Sequence, residues 1–142
     1  MTMLKAKKLK MTQVWKDEKV IPVTVLGVDL GKYDENALKE GDKVQVTSRT
    51  RGRGFQGVVK RYSFAGGQKT HGQKNRMRAP GSIGSTAPQR VWPGRKMAGH
   101  MGTTKLTIKG LKVITVDKEN NLVMLKGAVP GMRGSEVRIK IK

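Results

Sequence analysis

Lys105-Leu106-Thr107-Ile108-Lys109-Gly110-Leu111-Lys112-Val113-Ile114-Thr115-Val116-Asp117-Lys118-Glu119-Asn120-Asn121-Leu122-Val123-Met124-Leu125-Lys126 is the stretch that decides the fold class. Lys105–Ile108 and Lys112–Val116 are short runs rich in β-branched residues, whose stiff side chains suit a pleated surface better than a helix. Asp117–Asn121 is a cluster of turn formers and Leu122–Lys126 resumes the apolar pattern, which predicts a hairpin. Working outward, Gly127–Gly134 is a Gly/Pro loop, and Glu136–Ile141 alternates apolar and charged residues as a closing strand. Upstream, Val20–Val28 reads as a strand with Pro22 at an edge or start, because proline cannot donate to a ladder. Asn36–Gly41 reads as a turn into a short strand, Lys43–Thr47. Phe55, Val58, Val59 and Tyr62 recur at helical spacing and predict one short helix over Phe55–Ser63, although a strand period fits the same residues.

The middle of the chain is composed differently. No acidic residue lies between Asp42 and Asp117, while residues 43–116 hold sixteen lysines and arginines and twelve of the eighteen glycines. Folded surfaces normally mix both signs, because a one-sign field repels itself and opposes compaction. A segment of this kind needs a polyanion, and its glycines let the backbone lie close against one. The apolar residues gather toward the two ends, and residues 63–104 offer few besides Ile83 and Val91. Pro80, Pro88 and Pro93 stiffen that path. The reading is therefore an all-β body with a long extended basic loop and one short helix. Residues 1–48 and 105–142 supply the strands of the body, and 49–104 form a basic, glycine-rich RNA-binding segment.

A formal net charge of +20 on 142 residues points to nucleic acid first and to an anionic membrane second. The membrane reading wants an amphipathic helix, which the Gly- and Pro-punctuated segment cannot supply. Cysteine is absent, which excludes disulfides, thiolate chemistry and cysteine-based zinc sites. No apolar run reaches the roughly 20 residues of a spanning helix, and Met1–Lys10 lacks the apolar core of a secretory signal. The expectation is an intracellular, soluble protein. His71 and His100 are the only histidines, and no acid stands near either in sequence to orient an imidazole. No catalytic residue, metal ligand, cofactor or small-molecule substrate is expected.

Three constellations carry the binding chemistry. Arg49-Thr50-Arg51-Gly52-Arg53-Gly54 spaces three arginines at every second position, the last two each followed by glycine, pairing planar donor forks with a backbone that can approach phosphates. Lys69, His71, Gln73, Lys74, Asn75, Arg76 and Arg78 mix cations with amides and an imidazole, a mixture suited to sugar hydroxyls and base edges as well as phosphates. Trp92 stands among Arg90, Arg95 and Lys96, where an indole can stack on a base or simply anchor the loop. Lys60, Arg61, His100 and Lys105 complete the candidate set. Met97 and Met101 read as local packing.

Several of these runs resemble one family. Thr50-Arg51-Gly52-Arg53-Gly54-Phe55-Gln56-Gly57-Val58-Val59-Lys60-Arg61 is similar to the signature of large-subunit ribosomal protein three, the L-three family. So are Thr70-His71-Gly72, Arg78-Ala79-Pro80-Gly81-Ser82-Ile83-Gly84, Lys96-Met97-Ala98-Gly99-His100-Met101-Gly102, Lys126-Gly127-Ala128-Val129-Pro130-Gly131 and the run Lys8–Thr24. The wording of the motifs resembles bacterial or organellar members. The resemblance implies a small β-barrel body, binding to large-subunit rRNA near its 3′ end, and a part in early subunit assembly. It also implies a long loop, Thr70–Gly102 here, reaching toward the peptidyl transferase centre. Implied neighbours are ribosomal proteins of the L-fourteen and L-nineteen families, in the cytoplasm or in an organelle. The family's bacterial members are longer, and the missing part falls between Val28 and Asn36, which leaves open whether the barrel closes. Gln45 stands where the signature prefers Asp or Asn, Lys10 where a glycine is usual, and Ser85 where some bacterial members carry a methylated glutamine. A free RNA chaperone or nucleoid-type nucleic-acid binder is the alternative reading.

Overall fold

The computed structural model describes residues 3–28 and 38–141. In chain order its elements are β1 (Met3–Lys16), β2 (Lys19–Val28), β3 (Lys43–Arg49), β4 (Phe55–Gln56), α1 (Val58–Tyr62), β5 (Gly99–His100), β6 (Lys105–Asp117), β7 (Leu122–Lys126) and β8 (Glu136–Ile141). Two compact units contain them. One is Met1–Arg51 together with Thr103–Lys142, and the other is Gly52–Gly102.

Side chains on a strand alternate between faces, and in β3, β7 and β8 every second residue turns inward. Val44 and Val46 of β3, Val123 and Leu125 of β7, and Val137 and Ile139 of β8 are buried in this way. With Leu4, Leu26, Val28 and Val113 they form one core, each at most 2% exposed. Complete burial of such a side chain contributes about 1.5–3 kcal/mol. Two polar side chains go in with them and both are satisfied. Thr24 Oγ1 donates to Gly127 O at 2.6 Å, and Ser48 Oγ donates to Glu136 O at 2.5 Å.

Six strands close a barrel in the order β1-β2-β7-β6-β3-β8, every neighbouring pair antiparallel. Closure was open on sequence grounds, and β8 accomplishes it. It pairs with Met3–Lys7 of β1 on one side and with Val44–Ser48 of β3 on the other, which removes both free edges. The stretch between Val28 and Asn36, where the missing part was expected, lies outside the described residues. So do residues 36 and 37 of the turn expected at Asn36–Gly41, whose remainder ends in Gly41 at a φ of +91°.

Three bulges account for where the strand pattern departs from its reading. β6 is a single strand rather than two runs, because its extra residues around Lys109 and Gly110 bulge where the register with β3 shifts between Val44 and Val46. Gly110 takes a φ of +77° there, as a bulge of this kind requires. Ile114 is the extra residue against β7, and Leu9 the extra residue of β1 against β2. β1 itself carried no strand expectation. Its inward positions are only Leu4 and Ala6, and from Lys10 onward it pairs with β2 alone. That two-stranded ribbon turns at Asp17 and Glu18, whose φ values of 50° and 60° suit a tight hairpin.

The helix is shorter than its periodicity suggested. Phe55 and Gln56 are extended and pair with His100 and Gly99, so helical backbone starts only at Val58 and stops at Ser63, whose φ of 59° is left-handed. Strand β3 also runs two residues further than expected. Arg49, expected as the first residue of the glycine-rich segment, is therefore a rung of the barrel ladder, opposite Lys105.

Candidate nucleic-acid interface

The Gly52–Gly102 unit is organised by backbone bonds, and at one of them the approach leaves room only for glycine. Arg53 N donates to Met101 O and Met101 N to Gly54 O, both at 2.9 Å, leading into the β4–β5 ladder. Gly67 N donates to Met77 O at 3.0 Å, folding 66–67 against 76–78. A Cβ on Gly66 would lie 2.2 Å from Met77 O, and one on Gly67 2.8 Å from Arg76 O, so neither position has room for a side chain.

This framework leaves the cations outside. Arg53, Lys60, Lys69, Lys74, Arg76, Arg78, Arg90, Arg95 and Lys96 are all exposed, as are His71, Asn75 and His100, while Gln73 is half-buried. Arg61 is the exception among the basic residues. Its Nη1 donates to Met97 O at 2.7 Å and its guanidinium lies 5.0 Å from the Tyr62 ring centroid, with Lys96 Nζ 5.5 Å from the same centroid. A Cβ on Gly99 would sit 2.6 Å from Arg61 Nη1, so this glycine makes way for the clamp. Arg95 also has an internal bond, from Nη2 to Ser82 O.

Two aromatic platforms face solvent within the unit. Trp92 is 60% exposed with the Arg90 guanidinium 5.3 Å from its ring centroid. Phe55, 68% exposed, meets His100 edge-on at 6.3 Å. Phe55 was absent from the sequence candidates because its apolar spacing marked it as helix interior. Its place directly after the Arg-Gly run was the available signal. A flat exposed ring beside cations is the arrangement on which unpaired bases stack, at about 1–3 kcal/mol each.

The barrel unit contributes cations of its own. Arg49 and Lys105 line a cavity of about 380 Å³ with Arg138. Lys43, Lys109 and Lys140 line another of about 410 Å³. Arg51 lines a third, of about 560 Å³, with Lys8, Lys10 and Arg133. Of these only Arg49, Arg51 and Lys105 stood out in sequence. Lys43, Arg138 and Lys140 sit at alternate strand positions to the core valines and isoleucines, so their outward aim is a period-2 signal read afterwards. Among the described residues, no group of three or more His, Asp or Glu is placed to hold a metal ion, and no helix is long and apolar enough to cross a membrane.

A closed six-stranded barrel joined to a polycationic, glycine-rich unit defines the class: a basic β-barrel protein with an inserted segment free of acids. The comparisons narrow it. The family model for Ribosomal protein L3 matches residues 28–121, and the chain belongs to that family. It is 55% identical over 104 residues to the Large ribosomal subunit protein uL3 of Dehalococcoides mccartyi, covering 72% of this chain and 51% of that protein. The protein of the same name from Chloroherpeton thalassium is 55% identical over 103 residues, covering 72% and 50% respectively. That from a strain of Chlorobium phaeobacteroides is 50% identical over 118 residues, covering 80% and 56%. The chain thus spans about half the length of the curated relatives it matches.

Proposed function

We propose that this chain is a structural, non-catalytic constituent of the large ribosomal subunit that binds large-subunit rRNA. The observation that carries the proposal is the Gly52–Gly102 unit, which holds no acid and exposes every lysine and arginine except Arg61. Such a surface is neutral only against a polyanion. The relatives' printed name, Large ribosomal subunit protein, supports the choice of polyanion.

The finer reading follows the family resemblance. The chain binds rRNA near its 3′ end and supports subunit assembly, with the segment 70–102 reaching toward the peptidyl transferase centre. Its neighbours are the L-fourteen and L-nineteen proteins, in a ribosome of the cytoplasm or of an organelle. Residues 49–104 are the RNA-binding part, with residues 1–48 and 105–142 as the body that carries it.

Sucrose-gradient sedimentation tests the core of this. The tagged chain should travel with large subunits and stay with them in high salt, because many simultaneous contacts resist exchange. Release at moderate salt into free ribonucleoprotein fractions would favour a free RNA chaperone instead.

A further inference from the structure

The third barrel cavity, of about 560 Å³, differs from the other two in combining cations with exposed thioethers. Lys10, Arg51 and Arg133 line it together with Met11 and Met132, which are 51% and 56% exposed. No acidic residue is among its lining. Its size falls in the usual range for small-molecule sites, far above what one inserted side chain needs.

Its walls are built rather than incidental. The bulge at Leu9 shifts the register of β1 between Lys8 and Lys10, on the β1 side of the groove. Opposite them, the loop through Met132 is tied to β1 at several points. Lys8 Nζ donates to Val129 O at 2.7 Å and to Gly131 O at 3.0 Å. Lys8 N donates to Ser135 O at 3.0 Å, and Gly134 N to Lys8 O at 2.6 Å. Ser135 Oγ closes the turn onto Met132 O at 2.7 Å. Gly131 adopts a φ of +102°, and a Cβ there would lie 2.3 Å from Ser135 Oγ. The groove thus brings Met11 of β1 and Met132 of the tied loop into one lining, with Lys10, Arg51 and Arg133 beside them.

We propose that this groove is a site for one unpaired nucleotide of RNA, its base between Met11 and Met132 and its phosphates on Arg51, Arg133 and Lys10. Thioethers are polarisable and make favourable contacts with aromatic faces, which a nucleobase supplies. Guanidinium forks match the adjoining phosphates. The Asp and Glu side chains of an acidic peptide would satisfy the cations but offer the thioethers no aromatic face. The proposal rests on the RNA-binding reading above but adds a site on the barrel unit, outside the Gly52–Gly102 segment that carries that reading.

The test uses the full chain and a ten-nucleotide oligouridylate carrying 4-thiouridine. Irradiation should give adducts on Met11 or Met132, found in the tryptic peptides 11–16 and 127–133. Met11→Ala with Met132→Ala should abolish those adducts and weaken binding of the oligouridylate about two- to tenfold, the range of a sulfur–aromatic contact. The same pair should leave binding of an abasic ribose-phosphate oligomer unchanged. Arg133→Ala should weaken both probes. All three side chains are exposed, so circular dichroism should show an unaltered fold. Adducts confined to residues 52–102 would overturn the site while leaving the ribosomal reading intact. Competition by polyglutamate as effective as that by the oligonucleotide would overturn it in favour of an acidic protein. Co-sedimentation failing while the groove adducts persist would instead strike the ribosomal reading alone.

Discussion

At the scale of single residues, the acid-free unit separates side chains that serve the fold from those that face outward. Arg61 and Arg95 spend a donor on Met97 O and Ser82 O, so their loss would loosen the loop as well as remove a charge. Arg78 is exposed and suits a cleaner test of phosphate contact. Arg78→Ala should lower the slope of log affinity against log salt by roughly 0.7–0.9, one contact's worth. Trp92→Ala should instead weaken binding to an rRNA fragment by about 1–3 kcal/mol with the slope unchanged, because base stacking releases no counterions. Paired salt titrations decide this, and a Trp92→Ala chain that binds like wild type would reduce the ring to a local anchor. Gly66 offers a second test. Its φ of +76° and the Met77 carbonyl in the path of any Cβ make Gly66→Ala strained, by about 1–3 kcal/mol. Trypsin should then cut within Lys69–Arg78 faster than in wild type while the strand signal in circular dichroism stays the same.

At the scale of elements, legibility followed periodicity. β8 was readable to the residue because its charged and apolar residues alternate without interruption, and β7 because a short apolar run follows directly on a cluster of turn formers. β6 read as two runs because a bulge hides strand continuity from any period-2 pattern. β1 was unreadable from its own residues. Its barrel portion spends only Leu4 and Ala6 on the core, and the ribbon beyond is exposed on most positions. Phe55 was misplaced for the opposite reason, since a chance helical spacing competed with a ladder to His100 that no local pattern announces. The candidate cations were legible as composition, but which of them are tied down depends on tertiary carbonyls such as Met97 O. The β6–β7 turn shows a local device that could be read. Asp117 accepts bonds from Asn120 Nδ2 at 2.8 Å and Asn120 N at 3.1 Å, and these hold its carboxyl below the ordinary value of 3.8. A lowered folded pKa means the unfolded chain takes the proton more readily. The turn's contribution is therefore complete above the ordinary aspartate range and is lost as pH falls through the lowered value. Asp117→Ala should melt earlier than wild type at neutral pH, and the gap between the two should close in acid. A gap that stays constant into strong acid would mean the carboxylate does not hold the turn.

At the scale of the whole molecule, thirty basic residues stand against ten acidic ones, and their distribution matters more than their sum. The barrel sequence keeps its acids outside the run from 43 to 116, so the excess charge belongs to one continuous stretch of chain. Each phosphate neutralised releases condensed counterions, which makes affinity fall as a power of salt concentration. With roughly 6–10 phosphate contacts, affinity for a duplex-containing rRNA fragment should drop about 10³–10⁵-fold between about 50 and 200 mM salt, and somewhat less for single strands. The source of that slope can be assigned. Lys74, Arg76 and Arg78 are all exposed within the Gly52–Gly102 unit. Their joint replacement by alanine should reduce the slope by about 2–3. An equal reduction from Lys43, Lys109 and Lys140 would place as much of the RNA on the barrel as on the acid-free unit. A slope untouched by the first triple, with affinity intact, would mean that the most basic stretch of the sequence faces something other than phosphate.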